Sequence, residues 1–500
     1  MTAPTSQPRV LFPADGCAVA RTEFSASCPA FAATSHIDEL RASEYERLDR
    51  LGHVYLDYTG GGLYAESQVR KHHELLKDGV LGNPHSHNPS SLASTALVES
   101  ARAAVLEFFN ADPAEYDVIF TANASGALKL VGESYPFEPG DRYLLTYDNH
   151  NSVNGIREFA RACGASVKYL PVGEPDLRLD PAMVTEELGR QPTGAHNLFA
   201  FPAQSNFSGV QHPLEWIDEA RSLGWDVLLD CAAFAPTNRL DLGVVHPDFV
   251  PLSFYKMFGY PTGTGALVVR REALGKLRRP WFAGGTITLA SVQGEGWHHL
   301  APGHAGFEDG TVDYLGLPAV QIGLEHVSAV GVDAIHDRVM ALTSWLLSAM
   351  SQLRHSEGAP MVRIFGPRDT GCRGATVAFY LLDPNGAPYD VDRMEELAGR
   401  RGISIRTGCF CNPGDGEIAH RISPADMAEC FAEKAEPVTF TECHDIIRDT
   451  TGKMPNTMRV SLGLASNFAD VYAFAAFAES FRDCDPATLP RQARLVRRRG

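Results

Sequence analysis

Lys256 stands in an unusual place for an amine. It follows an apolar run, Phe249 to Phe254, that reads as a buried strand. Glycines crowd in behind it in Ser253-Phe-Tyr-Lys-Met-Phe-Gly-Tyr-Pro-Thr-Gly263, and a second β-branched run, Ala266 to Val269, follows. A lysine normally keeps its ammonium in water. Enclosed among apolar neighbours it gives up its proton more readily and becomes a nucleophile suited to Schiff-base chemistry. Taken alone, the stretch reads better as a surface turn with a solvated lysine. The residues upstream change that reading.

Four features precede it, each at the end of an apolar run. Thr121-Ala-Asn-Ala-Ser125-Gly126 leads from a strand into a helix, where bare N–H groups and the Ser125 hydroxyl suit a phosphate. Ser125 as an ordinary helix cap is the alternative. His150, in Asp148-Asn-His150, could stack on a flat ligand, move a proton, or be a satisfied structural histidine. Pro202-Ala-Gln-Ser-Asn206 is a polar patch or simply a turn. Asp230 closes Trp225-Asp-Val-Leu-Leu-Asp230, and a carboxylate there is costly without a cation beside it. A protonated pyridine nitrogen is one such cation, and that pairing makes pyridoxal phosphate a better electron sink. A capping role for Asp230 is the alternative. Weak singly, the signals are strong in this order.

The elements that must position them alternate. Strands are expected at 117–121, 142–147, 166–170, 197–201 and 226–230, with helices at 125–133, 153–163, 181–188 and 214–223 between them. That rhythm implies a largely parallel sheet with helices on both faces, which binds ligands beyond the carboxyl ends of its strands. Earlier helices are expected at 44–51, 66–78 and 94–109, with a short strand at 54–57. Gly60-Gly61-Gly62 reads as a loop with unusual backbone freedom. His85 and His87 sit in a polar loop and read as cleft-lining residues, with no metal site expected. A long helical region, 319–350, leads to a second unit with strands near 362–365 and 375–381 and helices at 391–400 and 469–481. The expected organisation is a lead-in over 1–40, a large domain over 41–320, a smaller α+β domain over 321–485 and a basic tail over 486–500.

Composition narrows the class. Five hundred residues exceed one ordinary domain, and 44% hydrophobic residues fit a globular chain. A formal charge of −17 argues against nucleic acid and anionic membrane surfaces as partners. No apolar run nears the roughly 20 residues a membrane helix needs. Residues 1–20 carry Pro, Asp and Gly where a signal peptide needs its apolar core. Ten scattered cysteines without paired zinc-type motifs fit free thiols in a cytoplasmic, reducing compartment.

Several stretches carry a family resemblance: Val54-Tyr-Leu-Asp57, Gly82-Asn-Pro-His-Ser86, Val118-Ile-Phe-Thr-Ala122, Asp148-Asn-His150, the Ser253–Gly263 stretch, Phe307-Glu-Asp-Gly-Thr311 and Arg406-Thr-Gly-Cys-Phe-Cys-Asn-Pro-Gly414. On them the chain resembles class V, fold-type I pyridoxal-phosphate enzymes of the cysteine desulfurase group. Within that group it is most similar to the desulfurase-like N-terminal region of molybdenum cofactor sulfurases. The resemblance implies an α/β transferase fold with a large, mostly parallel-sheet domain and a smaller α+β one. It implies pyridoxal 5′-phosphate held by Lys256, with Asp230 on the ring nitrogen, His150 stacked on the ring and Asn206 on its hydroxyl. Ser125 and Ser253 would hold the phosphate, and Thr311 would reach it from a partner subunit, so a homodimer is implied. Arg459 would clamp the substrate α-carboxylate, supported by Arg406. Cys411 would take sulfur from L-cysteine as a persulfide and pass it to an acceptor protein or small molecule, with Cys409 the rival nucleophile.

The chain departs from the family pattern at Tyr255, where many desulfurases have His, and at Ala233, where many have Gln. Tyr255 matches the sulfurase subgroup. Those sulfurases continue into a further domain, and this chain is expected to stop near the end of the desulfurase-like region. Other readings are a lyase, epimerase or aminotransferase acting on another amino acid, and an idle homologue serving as a binding partner.

Overall fold

The computed structural model describes residues 10–190, 194–294, 296–428, 430–431 and 439–489. Most of the basic tail expected at 486–500 lies outside the described residues.

A seven-stranded sheet forms the centre. Across it the order is Tyr116–Thr121, Gly265–Arg270, Phe249–Ser253, Trp225–Asp230, Asn197–Pro202, Arg142–Thr146 and Ser166–Leu170. Only Gly265–Arg270 runs antiparallel to its neighbours. The middle strands are apolar throughout because both faces are covered, as parallel sheets require. Their side chains alternate between two cores. Leu198 and Ala200 face the helix Ala124–Ser134, while Phe199 and Phe201 face the other way with Val227 and Leu229. The expected alternation of strands and helices is thus the observed one.

The long helical region expected over 319–350 is two helices, Leu317–Val330 and Val332–Gln352, broken at Gly331, whose φ of 91° only glycine takes readily. The second unit holds an antiparallel sheet ordered Val362–Phe365, Thr376–Leu381, Thr457–Ser461, Arg406–Gly408. A further helix, Phe440–Thr451, was not expected. Its signal was present: Thr439 and Glu442 form a reciprocal capping box. Cys430 and Cys443 are joined as a disulfide, against the expectation of free thiols throughout. Among the described residues, no helix is long and apolar enough to cross a membrane.

The N-terminal lead-in also differs from expectation. It forms helices Cys17–Ser27, Pro29–Ala33 and His36–Glu44. Helices this short show little periodicity and draw their stability from packing. Phe24 and Phe31 pack on Phe468, and Arg41 reaches Asp470 at 2.5 Å, buried against the closing helix Phe468–Glu479. The chain then pairs Val54–Tyr55 in parallel with Ile403–Ser404 and bridges Asp57 to Ser461. Residues far apart in sequence thereby meet in front of the large sheet.

The Gly60-Gly61-Gly62 loop explains itself differently from the expectation. None of the three is among the glycines of positive φ. What Gly60 and Gly62 supply is closeness. A Cβ on Gly62 would lie 2.8 Å from the carbonyl oxygen of Lys256 and 3.1 Å from the amide of Gly259. The Gly62 N–H donates to the Tyr255 carbonyl at 2.9 Å. We therefore expect Gly62→Ala to lower stability by about 1–3 kcal/mol through overpacking, read as a drop in melting temperature. An unchanged melting temperature would mean the contact is slack.

Candidate active site

Lys256 lies on a helical turn, Phe254–Phe258, rather than in the bare turn the sequence suggested. Gly259 ends it in the left-handed region, φ 79°, where a Cβ would lie 2.3 Å from the Tyr64 amide nitrogen. The half-buried lysine side chain enters a cavity of about 310 Å³ lined also by Ser125, His150, Asn206, Asp230, Ser253 and Ala233. These come from the carboxyl ends of the parallel strands, as expected of such a sheet. Burial lowers the Lys256 amine below the ordinary lysine value, and the Asp230 carboxylate opposes it.

Asp230 is buried, and its Oδ1 accepts the Ala232 N–H at 2.9 Å. The local capping role is therefore real, and the carboxylate still faces the cavity. His150 caps the short helix Asn151–Asn154, its Nδ1 accepting the Ser152 N–H at 3.1 Å. That bond requires Nδ1 without a proton, so a neutral ring carries its hydrogen on Nε2. Burial lowers its pKa, with Asp230 opposing and Lys256 adding to the fall.

The strand-to-helix turn expected to suit a phosphate is capped differently from the alternative reading. Asn123, not Ser125, caps the helix Ala124–Ser134, accepting the Gly126 N–H at 2.9 Å. Ser253 Oγ accepts the Ala124 N–H at 3.2 Å, and the exposed Ser125 hydroxyl meets Ser152 Oγ at 2.6 Å. A Cβ on Gly265 would lie 2.6 Å from the Asn123 backbone, so glycine there lets the neighbouring strand approach the turn. An amine, a facing carboxylate, a flat neutral ring and a helix start bearing hydroxyls are what a flat, phosphate-bearing aldehyde needs.

Asn206 lines the cavity but also holds the cysteine loop. Its Nδ2 donates to the Phe410 carbonyl at 2.7 Å, and its Oδ1 accepts from Asn412 Nδ2 at 3.0 Å. Phe410 and Cys411 both have positive φ, 57° and 55°, a conformation L residues adopt at a cost. Cys411 is exposed, whereas Cys409 is partly covered and burial raises its thiol.

Arg459 is buried beside this loop, its guanidinium 4.4 Å from the centre of the Phe410 ring. Nη1 donates to the Asn206 carbonyl at 2.9 Å and Nη2 to Asp57 Oδ1 at 3.0 Å, while Nε has no partner. Arg406 closes on the same Asp57 through Nε and Nη2, at 2.9 Å and 2.5 Å to Oδ2. Thr311 is not in the cavity. It lines an adjoining cleft with Thr121 and Lys129 that meets the first at Gly263, and Asn83 donates to it at 3.4 Å. His85 lines a cleft with Arg102 and His304, as expected, and His87 is exposed.

Two participants went unread in the sequence. Asp57 ends an apolar run, the same signal that marked Asp230. Asn412 is wholly buried and donates to the Asp148 carbonyl at 2.8 Å, tying the cysteine loop to the strand end that carries His150. It followed the cysteines in plain view but had no visible partner.

A family model for class-V aminotransferases matches residues 54–474. The chain belongs to the class-V aminotransferase family. Among curated members, the molybdenum cofactor sulfurase of Solanum lycopersicum is 36% identical over 474 residues, covering 89% of this chain and 57% of that protein. The Homo sapiens molybdenum cofactor sulfurase is 36% identical over 464 residues, covering 88% and 50%. This class-V chain thus spans about half the length of the curated relatives it matches. Of solved structures, an apo cysteine desulfurase from Thermococcus onnurineus NA1 superposes with a TM-score of 0.71 at 22% identity, covering 88% of this chain and 97% of that one. A cystine C–S lyase bound to cysteine persulfide gives 0.64 at 18% identity, covering 86% and 98%. Such likenesses confirm the class-V fold.

Two outcomes follow from the geometry. Brief treatment with iodoacetamide at neutral pH should alkylate Cys411 well before Cys409, resolved by tandem mass spectrometry of their shared peptide; equal labelling would contradict the difference in cover. The second concerns His150. Its folded pKa lies below the ordinary 6.5, so the unfolded chain takes the proton first as pH falls. Its contribution is present above 6.5 and lost as pH falls through the folded value. His150→Phe should narrow the difference in urea midpoint between pH 7 and pH 5.

Proposed function

We propose that this chain is a pyridoxal 5′-phosphate enzyme that removes sulfur from L-cysteine, leaving alanine. The observation that carries the reading is the convergence of Lys256, Asp230 and His150 on one cavity, with an exposed Cys411 next in sequence to Phe410, whose ring lies under Arg459. When bound, the cofactor supplies an electron sink for the substrate α-carbon. Lys256 would hold its aldehyde covalently, and burial lowers the basicity of that amine in the direction the task needs. Asp230 would pair with the ring nitrogen, His150 would stack on the ring, and Asn206 would bond the ring hydroxyl. Ser125, Ser253 and the first amides of their helix take the phosphate.

Arg459, through its unpartnered Nε, takes the substrate α-carboxylate, with Arg406 adding charge. Lys256, once released, moves the α-proton. The Cys411 thiolate attacks the substrate sulfur; the S–S bond forms as the Cβ–S bond breaks, and the electron pair left on Cβ takes a proton. Alanine and a Cys411 persulfide result, and the terminal sulfur passes to a thiol or small-molecule acceptor. Cys409 is the weaker candidate because burial keeps its thiol protonated.

The working unit is a homodimer in this reading. Thr311 sits outside its own chain's cavity, where it can serve a partner's phosphate. Trp281, Leu289 and Trp297 stand exposed nearby in the sequence, a surface a second subunit would cover. A cytoplasmic location is favoured by eight free cysteines and opposed by the Cys430–Cys443 disulfide.

One experiment tests the reading. Incubation with L-cysteine should add one sulfur to the Cys409–Cys411 peptide and release alanine. Cys411→Ala should cut alanine release at least a hundredfold while the bound cofactor's visible absorbance stays, and Lys256→Ala should lose that absorbance. Unchanged turnover in Cys411→Ala would transfer the reading to a lyase of the same fold; no cofactor band in the unaltered protein would end it.

A further inference from the structure

Asp57 is the unabsorbed feature of the site. Its carboxylate is buried between two guanidiniums, Arg459 from the strand Thr457–Ser461 and Arg406 from the adjoining strand Arg406–Gly408. The two arginines are cross-strand partners in register, so their like charges would repel without an anion between them. Asp57 arrives from the N-terminal wrap, through its bridge to Ser461. Gly60 leaves room for the pair: a Cβ there would lie 2.6 Å from Asp57 Oδ2 and 2.9 Å from Arg406 Nη2.

A carboxylate already seated on the arginine that is to receive the substrate's carboxylate needs a reason. Two arginines and one aspartate leave a single positive charge, which one α-carboxylate neutralises. Asp57 also occupies Nη2 of Arg459, so the guanidinium cannot turn and its unpartnered Nε keeps one direction. Burial pulls the Arg459 guanidinium down to about 10, and the Asp57 charge opposes this, holding it protonated.

We propose that Asp57 is a positioning and specificity residue: it fixes the aim of Arg459 and sets the net charge of the carboxylate pocket so that amino acids with one carboxylate are favoured over those with two. This rests on the reading of Arg459 as the carboxylate clamp. A purely structural ion pair would predict lost stability with no change in preference.

The test is binding rather than turnover. L-alanine and L-aspartate are titrated into the cofactor-loaded enzyme by calorimetry, with melting temperatures recorded alongside. Asp57→Asn should weaken alanine binding and move the alanine-to-aspartate affinity ratio toward aspartate by roughly tenfold, the worth of one charged contact. Gly60→Ala keeps the charge and shifts the carboxylate, so it should weaken both ligands and leave the ratio alone. Arg459→Ala is the control for the underlying reading and should abolish binding of both. If Arg459→Ala loses binding but Asp57→Asn keeps the ratio, whether or not it melts earlier, the role given to Asp57 is wrong and the clamp stands. If Gly60→Ala binds both as the unaltered protein does, aiming is wrong. If Arg459→Ala binds normally, the clamp itself is wrong and this inference falls with it.

Discussion

The site depends on an amine held partly out of water opposite a buried carboxylate. Taken separately, each is expensive: an enclosed ammonium sheds its proton, and an enclosed carboxylate lacks a cation. The fold tolerates both because they share one cavity, where Asp230 raises the Lys256 pKa that burial lowers. Burial and the facing carboxylate thus pull the lysine in opposite directions, and burial prevails. Everything else at the strand ends is placed around that pair. His150 is kept neutral by burial and by its bond from Ser152, so a flat uncharged ring lies in the cavity instead of a second cation.

The second constraint is conformational. Phe410 and Cys411 are consecutive non-glycine residues in the left-handed region, a cost of about 1–3 kcal/mol each. Three contacts to the large sheet's edge hold them there. Asn206 grips the Phe410 carbonyl, the Asn151 N–H donates to the Cys411 carbonyl at 2.7 Å, and Asn412 reaches the Asp148 carbonyl. The thiol's exposure is therefore a property of this cross-linking. A loop of the same composition without those anchors would relax and take the sulfur elsewhere.

The small unit and the N-terminal segment meet at the two arginines held by Asp57. Arg406 and Arg459 lie side by side on antiparallel strands, and the carboxylate set between them comes from residue 57. Short helices with little visible pattern deliver it, pinned by Arg41 on Asp470 and by Phe24 and Phe31 on Phe468. The contacts that pin these helices also hold residue 57 in place.

Strand-by-strand alternation, the burial of both sheet faces and the clustering of Ser125, His150, Asn206, Asp230 and Lys256 at strand ends could be read from the chain, because period and punctuation are local properties of sequence. The family resemblance supplied Arg459, Cys411 and Thr311, whose positions no local pattern marks. What tertiary structure alone decided is of another kind. Glycines 60 and 62 serve closeness instead of backbone freedom, Asn123 displaces Ser125 as the helix cap, Cys409 is partly covered while Cys411 is bare, and Asp57 sits on two arginines more than three hundred residues away. Each of these is set by which distant atoms come within a few ångströms, and a linear pattern carries no record of that distance.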